Sequence, residues 1–256
     1  MENQVQPPET NQPSNRKWIV LAVGGGCALI ACIAVVVAVA LAEFPLLNKT
    51  ISGNPSPAPQ DNNTTQNQTA NVVMPPTRDH PQANGNKMGN PNAPVKIVEY
   101  ADYQCPYCMH YWQDTEPQII QNYVATGKVY YEYRSVGGFI GPESADAANA
   151  AYCAADQNKF WEYHDILFAN WTGENAGDFA PDRLRQYAAA VNLNIDQFNT
   201  CLNAGAHNDQ VSQDVSDAKA AGVQGTPAFI INGKLVEGAQ PYSGFQQMID
   251  AALNGQ

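Results

Sequence analysis

Residues 18–42 form a run of 25 residues without one charged side chain. A buried core helix is a poor alternative for an uncharged run this long beside a segment of linker composition. As a helix rising about 1.5 Å per residue it would be roughly 37 Å long. A bilayer's hydrocarbon core is about 30 Å thick, so the run is long enough to cross with some tilt. Trp18 stands at one end, where interfacial aromatics sit. Arg16 and Lys17 precede the run and Glu43 follows it. The positive-inside rule then leaves 1–17 in the cytoplasm and carries everything after 42 outside. Ala40-Leu41-Ala42 resembles a signal-peptidase site, and Leu29-Ile30-Ala31-Cys32 resembles a lipoprotein box. The run is longer than the usual h-region of about 7–15 residues, which favours an uncleaved signal anchor. Cys27 and Cys32 lie inside it and receive no chemistry.

Residues 43–86 hold seven prolines among Asn, Gln and Thr. This is linker composition. As a coil, 44 residues would span about 35–40 Å, a tether between membrane and domain. Asn48, Asn62, Asn63, Asn67 and Asn170 each open a glycosylation triplet, which matters only in a host that glycosylates.

Residues 87–256 read as one globular domain. Its 19 acidic and nine basic side chains carry nearly all of the chain's net charge of −11. Such a surface repels phosphates and argues against nucleic acid as a partner. Residues 94–100 and 128–136 are β-branched and aromatic, as strands are, and 105–125 has a helical pattern. Only helical patterns occupy 142–222. A strand at 226–231, an Asn232-Gly233 turn and a strand at 234–236 read as a hairpin, and 242–253 closes as a helix. The expected order is βαβ, a helical block, then ββα.

Cys105-Pro106-Tyr107-Cys108 falls between the first strand and the first helix. Proline suits the first helical position, where its missing N–H costs nothing. Cys105 then stands at the N-cap, facing unpaired N–H groups and the positive end of the helix dipole, and both favour a thiolate. Cys108 lies one turn on, within reach for a disulfide. On spacing alone the pair also fits a structural disulfide, half a zinc site or two unrelated thiols. Zinc would need a second Cys-x-x-Cys or a His pair, and His110, His164 and His207 stand apart.

Met88-Gly89-Asn90-Pro91, Glu99-Tyr100-Ala101-Asp102-Tyr103-Gln104 before the cysteines, and Gly225-Thr226-Pro227-Ala228-Phe229 before Asn232-Gly233 together resemble the DsbA-like branch of the thioredoxin superfamily. The resemblance covers about 165 residues, nearly the whole domain. It implies an α/β thioredoxin fold with an inserted helical domain, preceded by one transmembrane helix and a disordered linker. It implies that Cys105 is exposed and attacks while Cys108 is shielded and resolves. Pro227 matches the cis-proline beside the active site. Thr226 matches the residue whose backbone pairs with substrate as an added strand. Glu99 matches the buried acid that passes a proton to or from the second cysteine. Cys153 and Cys201 match positions that can form a second, structural disulfide. Pro106-Tyr107 departs from the Pro-His of the best-known DsbA proteins. Tyrosine brings no positive charge to the thiolate, which leaves oxidant strength open.

The implied activity is an extracytoplasmic thiol–disulfide oxidoreductase passing the Cys105–Cys108 disulfide to exported proteins bearing cysteines. A quinone-linked membrane partner would reoxidise it. No metal or organic cofactor is implied, because the cysteine pair is the redox group. The rival readings are a tethered reductase or isomerase of the same fold and a non-catalytic binding or chaperone module.

Overall fold

The computed structural model describes residues 71–255. The expected anchor at 18–42 and most of the expected linker lie outside them. No helix among the described residues is long and apolar enough to cross a membrane.

The domain is built on a five-stranded sheet, ordered β1-β3-β2-β4-β5. These strands are β1 (Lys87–Met88), β2 (Val95–Ala101), β3 (Val129–Ser135), β4 (Ala228–Ile231) and β5 (Lys234–Glu237). Strands β2 and β3 run parallel, with Glu99 opposite Tyr133. The β2–β4 and β4–β5 pairs are antiparallel. The hairpin turn has positive φ at both Asn232 (46°) and Gly233 (85°). That twist suits the strands it joins, and Asn-Gly tolerates it.

Alternation sends Val95, Ile97, Tyr131, Tyr133, Phe229 and Ile231 into the main core. There they meet helices α1 (Pro106–Asp114), α4 (Phe160–Ala169) and α8 (Tyr242–Leu253). On the opposite face Tyr100, Val136 and Ala228 pack with Ala218 of α7 (Asn208–Ala220) in a smaller cluster. The helical block also holds α3 (Pro142–Ala155), α5 (Pro181–Ala190) and α6 (Ile195–Ala204). Five alanines of α3 (Ala147, Ala148, Ala150, Ala151 and Ala154) are fully buried. Side chains this small let neighbouring helices approach closely. Cys153 of α3 is bonded to Cys201 of α6, with Cα atoms 5.8 Å apart.

Three features depart from the sequence reading. The helix expected at 105–125 breaks at Thr115 into α1, α2 (Glu116–Ile119) and a π turn over Ile120–Val124. Pro117 explains the break: it has no N–H for the fourth carbonyl back, and its ring collides with that carbonyl. Strand β1 was not expected. Two residues give no alternation to read, and the pairing of Lys87 with Glu132 and Met88 with Tyr131 is tertiary.

Third, residues 72–86, assigned to the linker by composition, lie docked on the domain. Val73 N–H donates to Asn170 Oδ1 at 2.8 Å, and Asn170 Nδ2 donates back to Val73 O at 2.8 Å. Arg78 Nη1 donates to Trp112 O at 2.7 Å. Scattered side-chain anchors and a few backbone bonds, such as Gly89 N–H to Pro81 O and Tyr133 N–H to Asn86 O, hold this strap and leave no periodic pattern. Asn170 is 4% exposed with both ends of its amide engaged, so in the folded protein it is no glycan acceptor.

Candidate active site

Strand β2 delivers the chain to the site, and the N-terminus of α1 presents the cysteines. Cys105 is the N-cap of α1, in extended conformation (φ −78°, ψ 122°), with Pro106 behind it at the first helical position. Its N–H donates to Asp102 O at 3.0 Å, closing a turn that aims the side chain across the sheet edge. There Cys105 Sγ lies 3.3 Å from the carbonyl oxygen of Thr226. The Thr226–Pro227 peptide bond is cis. Pro227 O is tied by Gly238 N–H at 2.8 Å, fixing this loop to β5's far end. Residues 121 positions apart thus meet at one sulfur atom.

Cys105 and Cys108 are both free thiols in this structure. Cys108 is completely buried and Cys105 is 5% exposed. Cys105 is therefore less open than the sequence reading held, because the Thr226–Pro227 loop lies over it. Tyr107, between the cysteines, is 64% exposed.

The two thiols differ sharply. Hydrogen bonding from the Cys108 thiol, then from the Thr226 hydroxyl and the backbone N–H groups of Cys108 and Tyr107, pulls Cys105 down to about 6 against the cost of burial. Burial first, and the adjacent Cys105 second, push Cys108 well above the ordinary thiol range. Near neutral pH the pair holds one thiolate and one proton, with the charge on the outer sulfur. In place of the histidine absent from the Pro-Tyr dipeptide, the Cys108 thiol first and the Thr226 hydroxyl next favour the Cys105 thiolate.

Glu99 lies behind the cysteines on β2, 2% exposed. Tyr131 O–H donates to Glu99 Oε2 at 2.6 Å, and the Tyr131 and Tyr111 hydroxyls are 3.0 Å apart. Burial raises the Glu99 pKa, the charge of Glu116 adds to this, and the Tyr131 hydrogen bond partly offsets both. Its charge also acts on Cys108. A carboxyl that holds its proton near neutrality beside a buried thiol is equipped to exchange that proton.

The structure thus gathers Cys105, Cys108, Thr226, Pro227 and Glu99 in one place, with Pro106 and Tyr107 on the connecting turn. Cys153 and Cys201 stay in the helical block. Sequence reasoning missed Tyr131 and Tyr111. The parity of β3 offered a signal for the first, since Val129, Tyr131 and Tyr133 must share a face. Nothing local marked Glu116, a buried acid 1% exposed just past the helix break. His110 and Asp114 of α1 line a cavity of about 380 Å³ with Thr115, Gln118, Gln240 and Tyr242.

A thioredoxin fold with a dithiol at a helix N-terminus, facing a cis-proline loop, defines a DsbA-like thiol–disulfide oxidoreductase. The chain belongs to the thioredoxin family, whose profile matches residues 82–251. It is 29% identical over 171 residues to a probable disulfide bond formation protein D of Bacillus cereus, across 65% of this chain and 77% of that protein. Over 173 residues it is 35% identical to the Na(+)/H(+) antiporter NhaA 3 of Salinispora tropica, across 67% of this chain. It spans only about a quarter of the antiporter's length (24%). The oxidised crystal structure of BdbD from Bacillus subtilis superposes with a TM-score of 0.62 at 23% identity, covering 71% of this chain and all of that one. That likeness is one of fold.

Proposed function

We propose that this protein is an extracytoplasmic dithiol oxidase, held at the cell membrane by 18–42, that donates the Cys105–Cys108 disulfide to exported proteins. A substrate thiolate attacks Cys105 Sγ, a substrate–Cys105 disulfide forms, and the Cys105–Cys108 bond breaks. Cys108 leaves with the electron pair and takes a proton, which Glu99 supplies. A second substrate thiolate then attacks the substrate sulfur of the mixed disulfide, and Cys105 leaves as a thiolate. Two substrate thiols become one disulfide and the enzyme's pair is reduced. A quinone-linked membrane partner returns it to the disulfide.

The observation that carries this reading is the dithiol at the N-terminus of α1 facing Thr226 and Pro227, a setting that draws Cys105 below the ordinary thiol range. A stable Cys105 thiolate is a good leaving group and favours the reduced enzyme, which makes the disulfide form an oxidant. The backbone of Thr226 beside that sulfur suits the pairing of an extended substrate strand. The disulfide-formation relative supports the same direction. Equilibrating the purified chain with glutathione tests it. A reduction potential well above thioredoxin's, which is about −270 mV, is expected. A value near thioredoxin's would turn the reading towards a reductase, and unchanged thiol oxidation in Cys105→Ser would leave only a binding module.

A further inference from the structure

Behind the catalytic region, the strap 72–86, the α1–α2 elbow and α4 enclose a cluster of titratable side chains that take no direct part in the thiol exchange. Glu116, His164 and Asp165 each offer one ligand atom, and these atoms lie within 4.8 Å of one another. Glu116 and His164 have side chains 2% and 1% exposed, and that of Asp165 is 4% exposed. Two atoms stand out. Glu116 Oε1 and His164 Nε2 are buried without a hydrogen-bond partner, and they face each other at 3.5 Å. A buried polar atom left unpaired is costly, and native structures rarely leave two together.

The rest of the cluster is held from outside. Glu116 Oε2 accepts from Arg78 Nη1 at 3.2 Å. Asp165 Oδ1 accepts from Trp112 Nε1 at 2.7 Å, and Asp165 Oδ2 faces His80 Nε2 at 3.1 Å. The Nδ1 of His164 lies 3.3 Å from the hydroxyl of Tyr103. Glu116 and His164 are therefore each oriented through one atom while the other remains open inward, and Asp165 beside them is fixed through both oxygens, so it would ligate an ion in place of its contact with His80. Outer partners of this kind, on the second nitrogen of a histidine and the second oxygen of a carboxylate, are what fix metal ligands in place. Zinc bonds to nitrogen and oxygen run about 2.0–2.2 Å, which sets neighbouring ligands of a tetrahedral ion about 3.3–3.6 Å apart. His164 Nε2 and Glu116 Oε1 already have that separation.

We propose that Glu116, His164 and Asp165 form a binding site for a divalent transition-metal ion of the zinc type, separate from the redox cysteines. One imidazole and two carboxylates suit a borderline ion better than a soft thiophilic one. The site spans the α1–α2 elbow and α4, and Arg78 and His80 of the strap cover its outer side.

The experiment uses the full chain in detergent, without a polyhistidine tag, stripped with chelator, with Cys105–Cys108 oxidised and then with Cys27 and Cys32 alkylated, so that no thiol competes. Zn²⁺ titration with elemental analysis is expected to show one equivalent bound. Glu116→Gln and Asp165→Asn are each expected to weaken that affinity at least tenfold, and with Asp165→Asn thiol exchange at Cys105 persists. Binding that both variants leave unchanged, or no binding at all, overturns the proposal. Should either variant fail to fold, Co²⁺ on the unaltered oxidised protein decides. Nitrogen–oxygen ligation gives weak visible bands alone and supports the site, whereas a thiolate charge-transfer band or no visible band refutes it.

Discussion

The depressed pKa of Cys105 makes the strongest demand on experiment, and Thr226→Val is the sharpest perturbation of it. With a pKa of about 6 in place of 9.0, Cys105 is about 90% ionised at pH 7, against roughly 1% for the unperturbed thiol. Sign follows from the direction of the shift. The pKa is lower in the folded, reduced protein than in the unfolded chain. The stabilisation is therefore complete above the unfolded value and fades as pH falls through about 6. At pH 7 only part of it is present. Allowing for solvent screening at a site open on one side, it is about 1 kcal/mol, or roughly 20 mV for a two-electron couple. Thr226→Val keeps the side-chain shape and the carbonyl but deletes the hydroxyl. One hydrogen bond to a charged group is worth about 1.5–3 kcal/mol, and screening reduces this to about one pKa unit. The assay is thiolate absorbance near 240 nm, together with iodoacetamide alkylation of reduced protein, from pH 4 to 10. The wild-type midpoint is expected near 6 and that of Thr226→Val near 7. A wild-type midpoint near 9 would refute the hydrogen-bonded thiolate as a whole, and a midpoint that Thr226→Val does not move would refute the part assigned to Thr226.

Glu99→Gln is expected to slow release of the mixed disulfide about tenfold or more in stopped-flow exchange, by removing the proton carrier for Cys108. Because the raised pKa of Glu99 costs stability as pH rises through it, the same variant is expected to melt higher than wild type at pH 9 and similarly at pH 5. Replacing Cys153 and Cys201 together by alanine opens a loop of 48 residues. Chain entropy sets the loss at about 4 kcal/mol, measurable by urea denaturation of protein with Cys105–Cys108 oxidised in both forms. Gly89 has φ +89°, and a Cβ there would stand 2.6 Å from Val129 O and 2.8 Å from Val124 Cγ1. Gly89→Ala is therefore expected to cost about 1–3 kcal/mol in the same assay.

What was legible in the sequence was legible for local reasons. The alternation of β3, the Asn232-Gly233 turn and the proline after Cys105 each act within a few residues. They placed the strands, the hairpin and the helix start within one or two positions. The broken helix was less legible because Pro117 sits inside an otherwise helical pattern, and only the packing shows that the chain bends there. The strap was hidden because Arg78 and His80 are held by Glu116 and Asp165, acids distant in sequence. The Tyr131–Glu99 bond was hidden for the same reason: it joins two strands, and neither strand names the other's residue.

By itself the sequence named the residues that the proposed chemistry rests on. A dithiol at a helix start, a Thr-Pro before a hairpin and an acid on the incoming strand are chemical identities that no fold can supply. The tertiary structure decided what those residues are like. It closed the Thr226–Pro227 loop over Cys105, buried Cys108 completely and gave Glu99 a tyrosine partner and an acidic neighbour. A thiol's pKa is set by the groups within a few ångströms of its sulfur, and here one of them, Thr226, lies 121 residues away in the chain. Two cysteines three positions apart become unlike for that reason, and the difference between them is what the proposed exchange reaction uses.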